Sequence, residues 1–174
     1  MEYIKLKEML EANKQLPFPK LQNIKKSTNY AKMLYEDFAG NLGELSAITQ
    51  YVYEHIQIEN QDISRLLLQI AIQEMKHMEV IGSLIKQLGL EPKYVNSLGE
   101  TWSAHNVRYK TGTRKETMLY NAELEKEAIM GYKKAMMHTR NQSIRATLNR
   151  IILDEEIHLK VFQDLQIGKS KRKA

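Results

Sequence analysis

Residues 70–81 read Ile70-Ala71-Ile72-Gln73-Glu74-Met75-Lys76-His77-Met78-Glu79-Val80-Ile81, and at an offset of 81 residues the chain reads Ile151-Ile152-Leu153-Asp154-Glu155-Glu156-Ile157-His158-Leu159-Lys160-Val161-Phe162. Both stretches place apolar residues at helical spacing, and both interrupt that stripe with Glu-x-x-His. The same offset relates Glu44 to Glu125, Ala47-Ile48 to Ala128-Ile129, Tyr51 to Tyr132 and Leu84 to Leu165, without a gap. With 17 Glu among 174 residues, five His would find a Glu three positions earlier about 0.5 times by chance. Two are present at one shared offset and on apolar stripes, so an internal repeat explains them better than coincidence.

The repeat unit is a helical hairpin. Ser27 or Thr28 caps a first long helix that the periodicity carries to about Ile58. Asn60-Gln61-Asp62 forms a polar turn, and a second helix runs to Leu88-Gly89, with Pro92 just beyond. Thr113 and Glu116 open a third helix as a capping box, reaching about Thr139. Asn141-Gln142-Ser143 turns the chain into a fourth, ending near Ile167. Short turns make helices one and two, and three and four, antiparallel pairs; the long connection between helices two and three is a crossover. The expected fold is therefore all-α, an antiparallel four-helix bundle with one long crossover, of the ferritin-like type. Three segments are expected: 1–28 as an N-terminal extension, 29–167 as the bundle and 168–174 as a basic tail. A connection this long is also expected to cover a site.

The stripes carry Glu44, Tyr51 and His55 on the first helix, Glu74 and His77 on the second, Glu125 and Tyr132 on the third, and Glu155 and His158 on the fourth. Four carboxylates and two imidazoles thus point into one core. Four buried negative charges without compensation are very costly. Two divalent cations neutralise them, and Glu-x-x-His puts two ligands one turn apart on one helix face. Glu44, Glu74, His77, Glu125, Glu155 and His158 are the expected metal ligands, for two iron or two manganese ions per chain.

Other residues carry open readings. Tyr51 and Tyr132 either hydrogen-bond to ligands or are core tyrosines with satisfied hydroxyls. Asp154, whose repeat mate is Gln73, either orients an imidazole across the bundle, His77 being the expected one, or is a solvated acid. His55 is read as core or rim, Glu123 and Glu127 as solvated, and His105 and His138 as surface residues.

Gly43-Glu44-Leu45-Ser46-Ala47 with Tyr51 and Glu74-Met75-Lys76-His77 resembles the first hairpin of manganese catalases and their spore-coat relatives. Glu123-Leu124-Glu125-Lys126-Glu127-Ala128-Ile129 with Tyr132, then Asp154-Glu155-Glu156-Ile157-His158, is similar to rubrerythrins and bacterioferritins. The resemblance, to the ferritin-like dimetal carboxylate superfamily, spans about residues 29–167 and implies the same six ligands. It implies an oxidoreductase acting on hydrogen peroxide or dioxygen, peroxidase-like or catalase-like. The alternative it leaves open is a non-enzymatic iron-binding, storage or ferroxidase role. Departures matter too. Rubrerythrins usually add a cysteine-ligated iron, and this chain has no Cys, so a di-iron form is expected to need an external electron donor protein. Some rubrerythrins add a Glu where this chain has Ala128, and cage ferritins carry a fifth helix where fewer than ten residues follow here. A homodimer is the expected assembly.

Composition agrees with one bundle. Hydrophobic residues are 43%, charged residues 27%, and Gly and Pro are few, which excludes collagen-like and disordered classes. Absent cysteine excludes disulfides and thiol nucleophiles. The net charge of +5 is local: without Lys169, Lys171, Arg172 and Lys173 the balance is 22 basic to 21 acidic. No nucleic-acid face is expected. With no apolar run beyond three or four residues, neither a membrane span nor a signal peptide is expected, and the reading is cytoplasmic.

Overall fold

A computed structural model describes residues 2–109 and 112–167; the basic tail 168–174 lies outside the described residues. The helices are α1 (Glu2–Lys14), α2 (Thr28–Ala39), α3 (Glu44–Gln57), α4 (Gln61–Gln87), α5 (Arg114–Met137) and α6 (Gln142–Ile167). The crossover holds a single 3₁₀ turn, Ala104–Asn106, and an isolated antiparallel bridge between Val95 and Thr101. Helices α3 and α4 pair as one hairpin and α5 and α6 as the other, with α2 continuing the first bundle helix against α4 and α5. The fold is the all-α ferritin-like bundle with one long crossover.

Helix ends follow the local chemistry. Asn60 accepts from the amides of Asp62 and Ile63, both at 3.1 Å, and starts α4. Thr113 and Glu116 form a reciprocal capping box at α5, and Asn141 Oδ1 accepts from Ile144 N at α6. Gly89, with φ of +104°, takes the left-handed conformation after α4, and Leu90 N donates to Ile85 O.

The first bundle helix is not continuous, contrary to its periodicity. It breaks at Gly40-Asn41-Leu42-Gly43, and Glu44 becomes the first residue of α3. There its carboxylate meets the positive end of the helix dipole. The break is tight: a Cβ on Gly43 would lie 2.5 Å from Glu36 O and 2.8 Å from Asp37 O, both backbone atoms. Gly43→Ala is therefore expected to destabilise the fold by about 1–3 kcal/mol. For a domain of this size that lowers Tm by about 2–12 °C. Thermal denaturation checks it; an unchanged Tm would show that the break yields freely.

Two apolar clusters fill the bundle. One gathers Leu34, Phe38, Ile81, Leu84, Ile85, Leu148 and Ile151. The other gathers Leu6, Leu10, Leu66, Leu67, Ile70 and Phe162. Each such side chain contributes about 1.5–3 kcal/mol when fully buried. Leu6 and Leu10 belong to α1, so the N-terminal segment packs onto α4 and α6 and completes the second cluster. The crossover is strapped to α2 and α3: Trp102 Nε1 donates to Ser46 Oγ at 3.0 Å, Tyr35 Oη donates to Glu91 O, and Gln50 Oε1 accepts from Arg108 N at 2.7 Å. Among the described residues no helix is long and apolar enough to cross a membrane.

Candidate metal centre

Between the two apolar clusters lies a polar layer. Glu44 and Glu125 enter from α3 and α5, Glu74 with His77 from α4, and Glu155 with His158 from α6. All six side chains are buried. They form two overlapping groups, Glu44–Glu74–His77–Glu155 and Glu74–Glu125–Glu155–His158, in each of which one donor atom per residue lies within 4.8 Å of the others. Glu74 and Glu155 belong to both.

The distances repeat the sequence symmetry. His77 Nδ1 lies 2.8 Å from Glu74, 3.0 Å from Glu155 and 3.8 Å from Glu44. His158 Nδ1 lies 2.8 Å from Glu74, 3.1 Å from Glu155 and 3.9 Å from Glu125. Both imidazoles therefore turn Nδ1 toward the carboxylates, their ring centroids 6.0 Å apart. The tyrosines cross between repeats: Tyr51 Oη donates to Glu125 Oε1 at 2.5 Å, and Tyr132 Oη donates to Glu44 Oε1. Asp154 Oδ2 lies 3.0 Å from His77 Nε2.

The donor set fits two divalent ions. Ligand atoms about 2.0–2.2 Å from a common ion are at most about 4.4 Å apart, close to the spread within each group. Oxygen-rich sites with imidazole suit iron and manganese. Two such ions also balance four carboxylates in a place where water cannot.

Without metal, protons do that balancing. Burial raises Glu44 well above the usual carboxylate range, with His77 opposing, and burial with Glu74 and Glu155 raises Glu125. Burial also acts on Glu74, but the two imidazoles outweigh it and bring Glu74 to about 2. Burial and Glu74 push Glu155 up, yet the imidazoles hold it below its ordinary value. Burial disfavours the charge on His158, and Glu74 and Glu155 overcome it, raising His158 to about 9. His77 is raised in the same way, by Glu155 and Glu44.

These directions set a pH dependence. An imidazole raised from 6.5 to about 9 stabilises the fold fully below 6.5, and that stability is lost as pH rises through 9. Raised Glu44 and Glu125 act in the same sense, because folding takes up their protons. Glu74 acts oppositely: its contribution is present above 4.5 and lost as pH falls toward 2. The metal-free protein is expected to melt highest in mild acid and progressively lower above neutrality. Metal affinity should rise over that same interval, since the ion needs deprotonated nitrogen. Calorimetry of chelator-treated protein at about pH 5.5, 7 and 9 checks this; a Tm rising throughout would contradict it.

The remaining residues separate clearly. His105, His138, Glu123 and Glu127 are exposed, and His55 Nδ1 pairs with Ser64 at 2.8 Å at the rim. Asn13, Arg150 and Glu54 are buried polar groups that the sequence pattern did not single out. Asn13 Nδ2 donates to Asp154 Oδ1, and Arg150 Nη1 lies 2.6 Å from Asp154 Oδ2. Glu54 accepts from Asn121 Nδ2 and Gln50 Nε2, and burial raises it to about 7. Arg150 and Glu54 had a usable signal, since Arg150 stands four residues before Asp154 and Glu54 continues the Tyr51 stripe. Asn13 had none.

On the α3–α5 side the carboxylates floor a cavity of about 30 Å³. Its walls include Asp37, Gln50, Tyr120 and Asn106, the last from the crossover. The volume admits one or two water-sized molecules.

The rubrerythrin family model matches residues 23–166. A probable manganese catalase of Clostridium acetobutylicum is 27% identical over 161 residues, covering 80% of this chain and 71% of that protein. A bacterioferritin of Desulfovibrio desulfuricans is 30% identical over 130 residues, covering 70% and 67%. Among solved structures, a manganese catalase from Anabaena superposes with a TM-score of 0.79 at 25% identity over 92% of this chain and 82% of that one. A bacterioferritin of Desulfovibrio desulfuricans superposes with a TM-score of 0.62 at 20% identity over 95% and 82%, a likeness of fold.

Proposed function

The chain belongs to the rubrerythrin family, and from that premise we propose that it is a dimetal oxidoreductase whose substrate is hydrogen peroxide, working as a catalase with two manganese ions. One observation carries the reading: two ligand groups that share Glu74 and Glu155 lie at the floor of a cavity of about 30 Å³. A space that small beside the carboxylates suits peroxide or dioxygen. The likeness to two manganese catalases, one at 27% identity and one at a TM-score of 0.79, favours peroxide and manganese.

When bound, two such ions would supply redox equivalents by moving between +2 and +3 states. The chain supplies the rest. Glu74 and Glu155 stand in both ligand groups and would keep the two positions paired. Tyr51 and Tyr132 each occupy one oxygen of Glu125 and Glu44, and so fix which oxygen remains free to face inward. Asp154 takes the outer N–H of His77, which leaves Nδ1 as the inward donor. Glu44 and Glu125 lie on the cavity floor, where each would offer its remaining oxygen to an ion. Two peroxides then give two waters and one dioxygen, with no outside reductant.

The test loads the metal-free protein with manganese or iron and records peroxide loss and oxygen release. The manganese form is expected to release one oxygen per two peroxides without a donor. The iron form is expected to sustain turnover only with added reductant, which would make it peroxidase-like. If neither form outpaces the free metal in buffer, the enzyme reading fails. The 30% identity to a bacterioferritin favours a ferroxidase or storage role as second reading. Iron uptake beyond two per chain in a cage-sized assembly would establish that role instead.

A further inference from the structure

The ligands obey the internal symmetry, but their surroundings do not. Asp154 is fully buried and takes His77 Nε2 at 3.0 Å, Arg150 Nη1 at 2.6 Å and the amide of Asn13. Arg150 reaches on with Nη2, donating to Asn13 O at 2.7 Å and Leu16 O at 3.2 Å. Its guanidinium lies 5.0 Å from the centre of the Phe18 ring, and Phe18 meets His77 edge-on at 6.2 Å. The end of α1 and the segment behind it are thus tied to the outer side of His77. In the other repeat the mate of Asp154 is Gln73, and the mate of Arg150 is Gln69, which donates outward to Glu11 at 2.9 Å. His158 Nε2 is buried with no hydrogen-bond partner among the described residues.

We propose that the N-terminal segment is a working part of the metal centre: Asn13 and Arg150 are positioning residues that hold Asp154 against His77, and the metal position served by His77 binds more tightly than the one served by His158. This rests on the dimetal reading above. An imidazole that gives its outer N–H to a fixed carboxylate is locked in tautomer and is the more basic donor; losing such a partner costs about 10–100-fold in affinity. His158 has no such partner, and a buried N–H left unsatisfied is itself unfavourable.

The experiment uses the full chain, freed of metal and titrated with Mn(II), the free ion being followed by electron paramagnetic resonance. Two unequal classes of one ion each are expected. Asp154→Asn should weaken the tighter class about 10–100-fold and leave the weaker class unchanged. Asn13→Ala should weaken the same class by a smaller factor. The second readout is the histidine side-chain ¹⁵N–¹H spectrum of the Zn(II)-loaded protein, Zn(II) serving as a diamagnetic probe. One strongly hydrogen-bonded imidazole N–H is expected in the parent chain, shifted in Asn13→Ala and lost in Asp154→Asn, which a change in stability alone would not produce. If Asp154→Asn fails to fold, Asn13→Ala carries the test. Two equal classes in the parent chain, or parallel weakening of both in the variants, overturn the inference while leaving the dimetal reading intact. Fewer than two bound ions in the parent chain would instead overturn that reading.

Discussion

Glu74→Gln is expected to reduce bound metal from two ions per chain to fewer than one and to cut peroxide turnover about a thousandfold or more. Glu74 stands in both ligand groups and lies 2.8 Å from both inward-facing imidazole nitrogens. An amide keeps the volume and so keeps the bundle packed, but it loses the charge and one strong donor oxygen at both positions together. Lewis-acid and redox assistance from a bound ion is worth several kcal/mol of barrier. At about 1.4 kcal/mol per tenfold, that sets the expected loss. Glu155→Gln should behave the same way. Glu44→Gln and Glu125→Gln should behave differently, because each belongs to one group only, and about one ion should remain. Elemental analysis of the four variants after dialysis gives the pattern directly. Equal losses in all four, or two ions retained in Glu74→Gln, would sink the shared-ligand arrangement.

The features legible in the sequence are those whose cause is local or repeated. The offset of 81 residues exposed Glu44, Glu74, His77 and their mates because a repeat doubles each rare residue, and the caps at Asn60 and Thr113 are short-range chemistry. The break before Glu44 was signalled by two glycines three apart. Helical period hid it, since Phe38, Leu45 and Ile48 keep the apolar spacing going across the gap. The role of α1 was illegible for a different reason. Leu6 and Leu10 make a short amphipathic piece that could have packed anywhere, and Asn13 touches a residue 141 positions away. Only the assembled bundle brings that amide to Asp154. The asymmetry around the imidazoles follows from the same contacts, whereas in the sequence it amounts to one Asp standing opposite one Gln.

Chelation is expected to lower Tm by about 16–32 °C relative to protein held at free metal 1,000 times the dissociation constant of each position. At that ratio, each ion that binds the folded state alone contributes about 4 kcal/mol, and two contribute about 8 kcal/mol. A domain of this length shifts by about 2–4 °C for each kcal/mol. The effect should be global because of where the ligands stand. Glu44, Glu74, Glu125 and Glu155 come from α3, α4, α5 and α6, and the layer they form separates the two apolar clusters. Bound metal would therefore join both hairpins at the point where neither cluster does. With metal removed, those carboxylates face one another and are balanced by protons on His77 and His158 and on Glu44 and Glu125 themselves. The increment should grow with the logarithm of free metal, about 1.4 kcal/mol per tenfold for each ion once its position is saturated. It should also be nearly absent in Glu74→Gln, which distinguishes binding at this layer from adsorption to surface carboxylates such as Glu79 and Glu123. Calorimetric scans across a metal series, with the variant run in parallel, make the comparison. A chelated protein that melts with the loaded one, or a variant that keeps the full increment, would mean that the ions bind elsewhere, and the polar layer would then have to be held together by its protons alone.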